Sequence, residues 1–128
     1  MQNIKELREK ATICYNNFIE NKKKSKKIFK NIIIYINNNK IELSHSNKDN
    51  IKLLINHWNN TDNYSAQDYL DMKDIDLVIN DSLDLSDLSL KELFNNYLIF
   101  SEKFRKDLIE FYKYVALIEE LDKSKNNL

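Results

Sequence analysis

The sequence predicts a mainly helical α+β fold in which long N- and C-terminal helices flank a small antiparallel sheet. Apolar residues recur at helical spacing near both ends of the chain, which indicates the two helices. Between them, a β-branched run and an alternating stretch indicate strands over about 31–45 and 75–80. An all-α helical bundle is the alternative. A chain of 128 residues is long enough for one domain with its own core, so we expect a single domain over 1–128.

The first helix is predicted over about 2–29. Its apolar residues recur at spacings of three and four and form a single stripe: Ile4, Leu7, Ala11, Cys14 and Phe18. The second half of this helix is rich in lysine, and this basic patch, which extends to Lys30, contains Lys22, Lys23, Lys24, Lys26 and Lys27. Such a patch is either a solvated helix face or a site that binds phosphate groups.

A β-hairpin is predicted next. Residues 32–36 are a β-branched and aromatic run, residues 37–39 are three asparagines, and the stretch that follows alternates apolar and polar side chains. Asparagine tolerates left-handed backbone, so it can form the turn in a chain without glycine. Helical spacing also fits Ile28, Ile32 and Ile36, which leaves a continuation of the first helix as the alternative.

The middle of the chain is predicted to contain two short helices and a third strand. Ser46 can cap a helix whose apolar face is formed by four residues: Ile51, Leu54, Ile55 and Trp58. Ser65 and Asp68 form the pattern of a capping box, which predicts a helix that ends near Met72. Apolar and acidic residues then alternate, and this alternation predicts a strand that joins the hairpin in one sheet.

The last helix is predicted to be about thirty residues long. Ser89 and Glu92 form a second capping-box pattern. A near-heptad stripe follows: Leu93, Tyr97, Phe100, Phe104, Leu108, Phe111, Val115, Ile118 and Leu121 or Asp122. At 1.5 Å per residue the helix reaches about 45 Å, which exceeds the body of so small a domain. We therefore expect it either to pack along the first helix or to form a homodimer.

Composition argues against several classes of site. The chain has no glycine, which P-loops, dinucleotide-binding turns and nucleophile elbows require. Its one cysteine, Cys14, and its two separate histidines, His45 and His57, fit neither a zinc motif nor a catalytic pair. We therefore expect no enzyme activity, no metal site and no cofactor. No secretory signal or membrane-spanning run is apparent, so we expect a cytoplasmic protein without a membrane partner.

Charge is distributed unevenly along the chain. Residues 1–60 contain 12 basic against 5 acidic side chains, a net charge of +7, and residues 61–128 contain 8 against 15, a net charge of −7. One stretch is strongly acidic: Asp62, Asp68, Asp71, Asp74, Asp76, Asp81, Asp84 and Asp87. These carboxylates either form a solvated face with helix caps and turns, or imitate phosphates for a partner lined with arginine.

The order of elements over residues 32–80 resembles the core of a small prophage anti-CRISPR inhibitor of an RNA-guided DNA nuclease. The resemblance is carried by the apolar run 33–36 that leads into asparagines, a stretch that ends at Ser44, a helix with Trp58, and the apolar residues 75–78. It implies an acidic decoy that occupies the arginine-lined site where the nuclease reads a short duplex motif. Asp68 and Asp71 are the positions that would carry over.

These observations predict a non-enzymatic inhibitor that binds a nucleic-acid-handling protein, such as a CRISPR effector nuclease, through an acidic face that mimics nucleic acid. The partner-binding residues would be Asp62, Asp68, Asp71, Asp74 and Asp76. The alternative is a helical protein that binds nucleic acid directly through its basic patch and dimerises through its last helix.

Overall fold

The computed structural model describes residues 3–83 and 87–126, and all regular structure in these ranges is helical. Four α-helices are present there: α1 (Ile4–Asn38), α2 (His45–Asn59), α3 (Ala66–Ser82) and α4 (Leu88–Asn126). A 3₁₀ turn at Thr61–Asn63 precedes α3. The predicted α+β class is therefore wrong, and the all-α helical bundle that was its alternative fits the structure.

Helices α1 and α4 pair antiparallel along their length. Their 35 and 39 residues make them about 52 and 58 Å long at 1.5 Å per residue. At one end the rings of Tyr15 and Phe111 are 5.2 Å apart, and at the other the Tyr35 hydroxyl donates to Asp87 at 3.0 Å. The last helix thus packs along the first, which is one of the two arrangements expected for so long a helix.

The core lies where α2 and α3 cover the α1–α4 pair. Its centre is aromatic: the Tyr69 ring of α3 lies 5.7 Å from Phe18 of α1 and 5.5 Å from Phe104 of α4. Trp58 of α2 lies 5.8 Å from Phe104 and is buried. All four helices therefore contribute to one continuous core.

The predicted hairpin over 31–45 is wrong, because residues 32–36 continue α1 to Asn38. Phe29 and Ile32 are buried, and Ile33 and Ile36 pack partly buried against the same core. Their spacing of three and four residues places them on one helix face, so burial of that face outweighs the modest strand preference of isoleucine.

The asparagines end the helix instead of forming a hairpin turn. Asn39 is the C-cap, and the following Lys40 takes left-handed backbone with φ 47°. The Ile41 N–H donates to the Ile36 carbonyl at 3.1 Å, and the Lys40 N–H donates to Asn37 at 3.4 Å, which is the Schellman pattern. Lysine occupies the position where glycine is usual, in a chain that has no glycine.

The predicted third strand over 75–80 lies within α3, so this prediction is also wrong, and the helix continues past Met72 to Ser82. Every three or four residues α3 turns one side chain into the core: Tyr69, Met72, Asp76, Ile79 and Leu83, the last just past its end. The alternation of apolar and acidic residues that predicted a strand arises because α3 has apolar side chains on both its inner and outer sides.

The helix starts agree in part with the sequence. The capping box of Ser65 and Asp68 is present at the start of α3, as predicted. Helix α2, in contrast, is capped by Ser44, whose side chain accepts from the Asn47 N–H, and not by Ser46. At α4 the Leu90 N–H donates to Asp87, and Ser89 lies inside the helix.

Candidate functional site

The outward side of α3 combines acidic and aliphatic side chains. All of its members are exposed, and they recur at helical spacing on one face: Leu70, Asp71, Asp74, Leu77, Val78 and Asp81. We call this set the acidic α3 face. Val78 is 51% exposed and Leu70 41%, and the other helices expose apolar side chains to a similar degree, such as Ile13 at 59%.

The carboxylates of this face are not neutralised by ion pairs among the described residues. Asp71 accepts a hydrogen bond from Gln67 of its own helix at 3.0 Å. Among the described residues, no Lys or Arg forms an ion pair with Asp71, Asp74 or Asp81. The face therefore presents three carboxylates and three aliphatic groups to solvent.

The five acids predicted to bind a partner do not lie together. Asp71 and Asp74 lie on the acidic α3 face, and Asp62 is exposed in the 3₁₀ turn before it. Asp68 is partly buried in the capping box, where its carboxylate accepts from the Ser65 N–H at 2.9 Å. Asp76 is buried completely and cannot reach a partner. Of the other acids of that stretch, Asp84 lies outside the described residues.

Asp76 belongs to a buried polar network between α3 and α4. Its carboxylate accepts from the Arg105 guanidinium at 3.1 Å and from the Tyr97 hydroxyl at 2.8 Å. Trp58 Nε1 in turn donates to the Tyr97 hydroxyl at 3.1 Å. Burial raises the pKa of Asp76 to about 6, against the opposing effects of Arg105, Tyr97 and Ser101. This network holds α2, α3 and α4 in register.

This network was not among the features predicted from the sequence, although the sequence carries a signal of it. An aspartate at position 76 interrupts the buried stripe of α3, and an arginine at position 105 stands beside the apolar stripe of α4. A single charge inside an otherwise apolar helical stripe is best explained by a partner charge in the core. The α3 stripe could not be recognised while residues 75–80 were interpreted as a strand.

The lysines of the basic patch lie in different surroundings around α1. Lys23 and Lys27 are exposed on its outer side, whereas Lys24 pairs with Glu20 at 3.4 Å. Lys22 is partly buried, with its ammonium 5.3 Å from the centre of the Phe18 ring. Burial lowers the pKa of Lys22, partly offset by Asp62.

Lys26 and Lys30 lie at the edge of a cleft between α1 and α2. Its volume is about 290 Å³, and its lining is almost entirely apolar apart from the two lysines and Asn59: Phe29, Ile33, Ile34, Ile55 and Trp58. We call it the α1–α2 cleft. Trp58, the only tryptophan of the chain, lies in its wall and is itself almost fully buried.

The remaining candidate side chains are dispersed. His57 Nδ1 and the Tyr64 hydroxyl share a hydrogen bond, and His45 is exposed at the first turn of α2. Cys14 is partly buried on α1, and burial raises the pKa of its thiol. In residues 3–83 and 87–126, no three His, Cys, Asp or Glu side chains come together as a metal site. Nor does any helix in that part of the chain have the length and apolar character needed to cross a membrane.

Comparison of the chain with protein-family models, with curated proteins and with solved structures gives no match. The geometry of its surfaces is therefore the basis for a functional proposal.

Proposed function

We propose that this protein is a non-enzymatic inhibitor that binds a basic, nucleic-acid-binding surface of another protein through the acidic α3 face. The observation that carries the proposal is the set of three exposed carboxylates interleaved with three exposed aliphatic side chains on one side of α3. Arginine side chains of a partner can pair with the carboxylates, and the apolar surface between those arginines can cover the aliphatic side chains.

The aliphatic residues favour a protein as the partner. A face that only imitated phosphates would need charge alone, and exposed Leu70, Leu77 and Val78 would then bring no benefit. Protein interfaces, in contrast, combine an apolar centre with charges that steer association and set specificity. The acidic residues would accelerate encounter with a basic surface, and the aliphatic residues would prolong the complex.

The partner class that fits is a protein whose site is lined with arginine to grip nucleic acid, such as an RNA-guided nuclease. Support comes from the charge and position of Asp71, Asp74 and Asp81, which lie along one side of a helix about 25 Å long. The stretches that carried the resemblance to anti-CRISPR inhibitors as strands are helical here or lie in the loop after α1. The proposal therefore rests on this face and not on a shared fold.

Direct binding of nucleic acid through the basic patch is the competing explanation. Lys22 and Lys24 are engaged with rings or with Glu20, so the free basic surface is smaller than the sequence indicated. Lys23 and Lys27 remain exposed and would be the residues to test.

The test is a competition assay with an RNA-guided nuclease loaded with guide RNA. A labelled DNA duplex that carries the nuclease recognition motif gives an anisotropy signal, and added protein should displace it. The triple variant Asp71→Asn/Asp74→Asn/Asp81→Asn should lose at least about 100-fold in affinity, because each charge-assisted contact contributes tenfold or more.

A matched control neutralises three exposed acids of α4, in the variant Glu102→Gln/Glu119→Gln/Glu120→Gln. It should compete like the wild type at the same ionic strength. The proposal would be wrong if the α3 variant competed normally, or if the wild type bound the free duplex and Lys23→Gln/Lys27→Gln abolished that binding.

A further inference from the structure

We infer that the α1–α2 cleft is a docking site for the acidic α3 face of a second copy of this chain, so that the protein associates head to tail. The α3 face carries carboxylates and exposed aliphatic side chains, and the cleft carries two lysines and an apolar lining, so the two surfaces of the one chain are complementary in charge and both are partly apolar.

The cleft supplies the receiving half of this interface. Its wall is apolar, and Lys26 and Lys30 stand one helical turn apart on its edge. Side chains at that spacing are neighbours about 5–6 Å apart. The cleft therefore offers an apolar groove with two adjacent ammonium groups.

The acidic α3 face supplies the other half. Asp71 and Asp74 are three residues apart on one helix, so their carboxylates are spaced like the two ammonium groups. Leu77 and Val78 follow on the same side. A cavity of about 150 Å³ can hold a benzene ring, so a cleft of about 290 Å³ has room for two aliphatic side chains.

The interface joins two different surfaces, so a bound copy still presents a free cleft at one end and a free α3 face at the other. Such heterologous contacts form rings if the rotation closes and open chains if it does not. The net charge of the chain is zero, so overall repulsion between copies does not oppose association. One helix face in one cleft makes a small interface, and we expect weak association that is strongest at low salt.

This inference shares the acidic α3 face with the proposed function but depends on the α1–α2 cleft, which that function does not use. The two can therefore fail separately. A protein that competes with duplex DNA yet stays monomeric would refute self-association alone, and one that self-associates without competing would refute the proposed function alone.

Sedimentation velocity at low salt over a range of protein concentrations tests the inference. The average mass of the wild type should rise with concentration. A cleft variant, Lys26→Glu/Lys30→Glu, should associate at least tenfold more weakly. A control variant, Lys5→Glu/Lys10→Glu, makes the same charge change at exposed positions of α1 far from the cleft and should behave like the wild type.

Mixing gives the decisive result. The cleft variant keeps a working α3 face, and the variant Asp71→Asn/Asp74→Asn/Asp81→Asn keeps a working cleft. Each should be monomeric alone, and an equal mixture should form a 1:1 dimer that grows no further.

Several outcomes would overturn the inference: a wild type that stays monomeric at every concentration, a control that loses association as the cleft variant does, or a mixture that remains monomeric. It would also fail if the anionic dye 1-anilinonaphthalene-8-sulfonate bound in the cleft of a chain that never associates, since the cleft would then be a site for small amphiphiles.

Discussion

The buried pair of Asp76 and Arg105 gives the sharpest prediction about stability. Arg105→Met removes the guanidinium and keeps most of the volume of the side chain, so the packing beside Phe104 is largely retained. It leaves the Asp76 carboxylate, which is fully buried, with the Tyr97 hydroxyl and without its counter-ion. The perturbation therefore isolates the charge from the packing.

The expected loss is large. Removal of one partner of a buried ion pair typically costs about 3–5 kcal/mol, because the other charge remains uncompensated. A domain of this length has a free energy of unfolding on the order of 10 kcal/mol. The double variant Asp76→Asn/Arg105→Met removes both charges and keeps an acceptor for the Tyr97 hydroxyl. It should lose less than half as much.

Urea unfolding at pH 7.5, followed by the fluorescence of Trp58, measures these losses. A slope of about 2 kcal/mol per molar urea converts a loss of about 4 kcal/mol into a midpoint lower by about 2 M. The loss in Arg105→Met should shrink at pH 4, where the Asp76 carboxyl is protonated in the folded state and needs no counter-ion. A single variant that loses less than about 1 kcal/mol, or a double variant less stable than the single one, would refute this account of the network.

Three further predictions concern titration, the end of α1 and the start of α3. The pKa of Asp76 is about 6 in the folded protein, above the ordinary value of 3.8 for an exposed aspartate. Between these two pH values the folded protein therefore holds a proton that the unfolded chain releases. Stability from this group should be complete below about pH 4 and fall by about 3 kcal/mol as the pH rises to about 6; Asp76→Asn should remove that slope in urea titrations. Lys40→Gly should raise the unfolding free energy by about 0.5–1 kcal/mol, because glycine takes positive φ freely, whereas Asn38→Gly in the last helical turn should not raise it. Ser65→Ala should cost about 1 kcal/mol through the lost cap, and a thermal melt unchanged from wild type would contradict the role of the Ser65 and Asp68 capping box.

The long helices at the two ends were predictable because their apolar stripes persist over many turns. The stripe from Leu7 to Phe18 and the one from Tyr97 to Leu108 each leave one consistent face for the core. The capping box at Ser65 was predictable for a similar reason, since it depends on residues three positions apart. Local patterns of this kind need no knowledge of the partner helix, although the same pattern at Ser89 and Glu92 lies within α4 and does not mark its start.

The hairpin was mispredicted because strand and helix signals coincide in one segment. Residues 32–36 are β-branched at four of five positions, which suits a strand, and Ile32 and Ile36 are also one helical turn apart. The core decides between them, and the contact that buries Ile32 involves residues distant in sequence. The end of the helix was equally hard to predict. Lys40 takes left-handed backbone there, and a lysine does not indicate that conformation as a glycine would have done.

The acidic stretch was only partly interpretable for a related reason. Its aspartates serve different purposes once α3 forms: Asp68 caps, Asp76 pairs in the core, and Asp71 and Asp74 face outward. Composition alone treats them as one group. The assignment of α3 as a helix separates them, and it also shows that Asp81 belongs to the outward set.

If the acidic α3 face both binds a basic partner and docks into a second copy, the two reactions must compete. The apparent dissociation constant for the partner rises in inverse proportion to the fraction of α3 faces that are free. When nine tenths of the faces are docked, for example, the apparent affinity falls about tenfold. The cleft variant Lys26→Glu/Lys30→Glu receives a second copy at least tenfold more weakly, so more of its α3 faces remain free at a given concentration. It should therefore bind the guide-loaded nuclease more tightly than the wild type at high protein concentration, and equally well at high dilution. Equal binding at all concentrations by a wild type that demonstrably self-associates would mean that the two reactions use different faces, so that either the nuclease or the second copy is not held through Asp71 and Asp74.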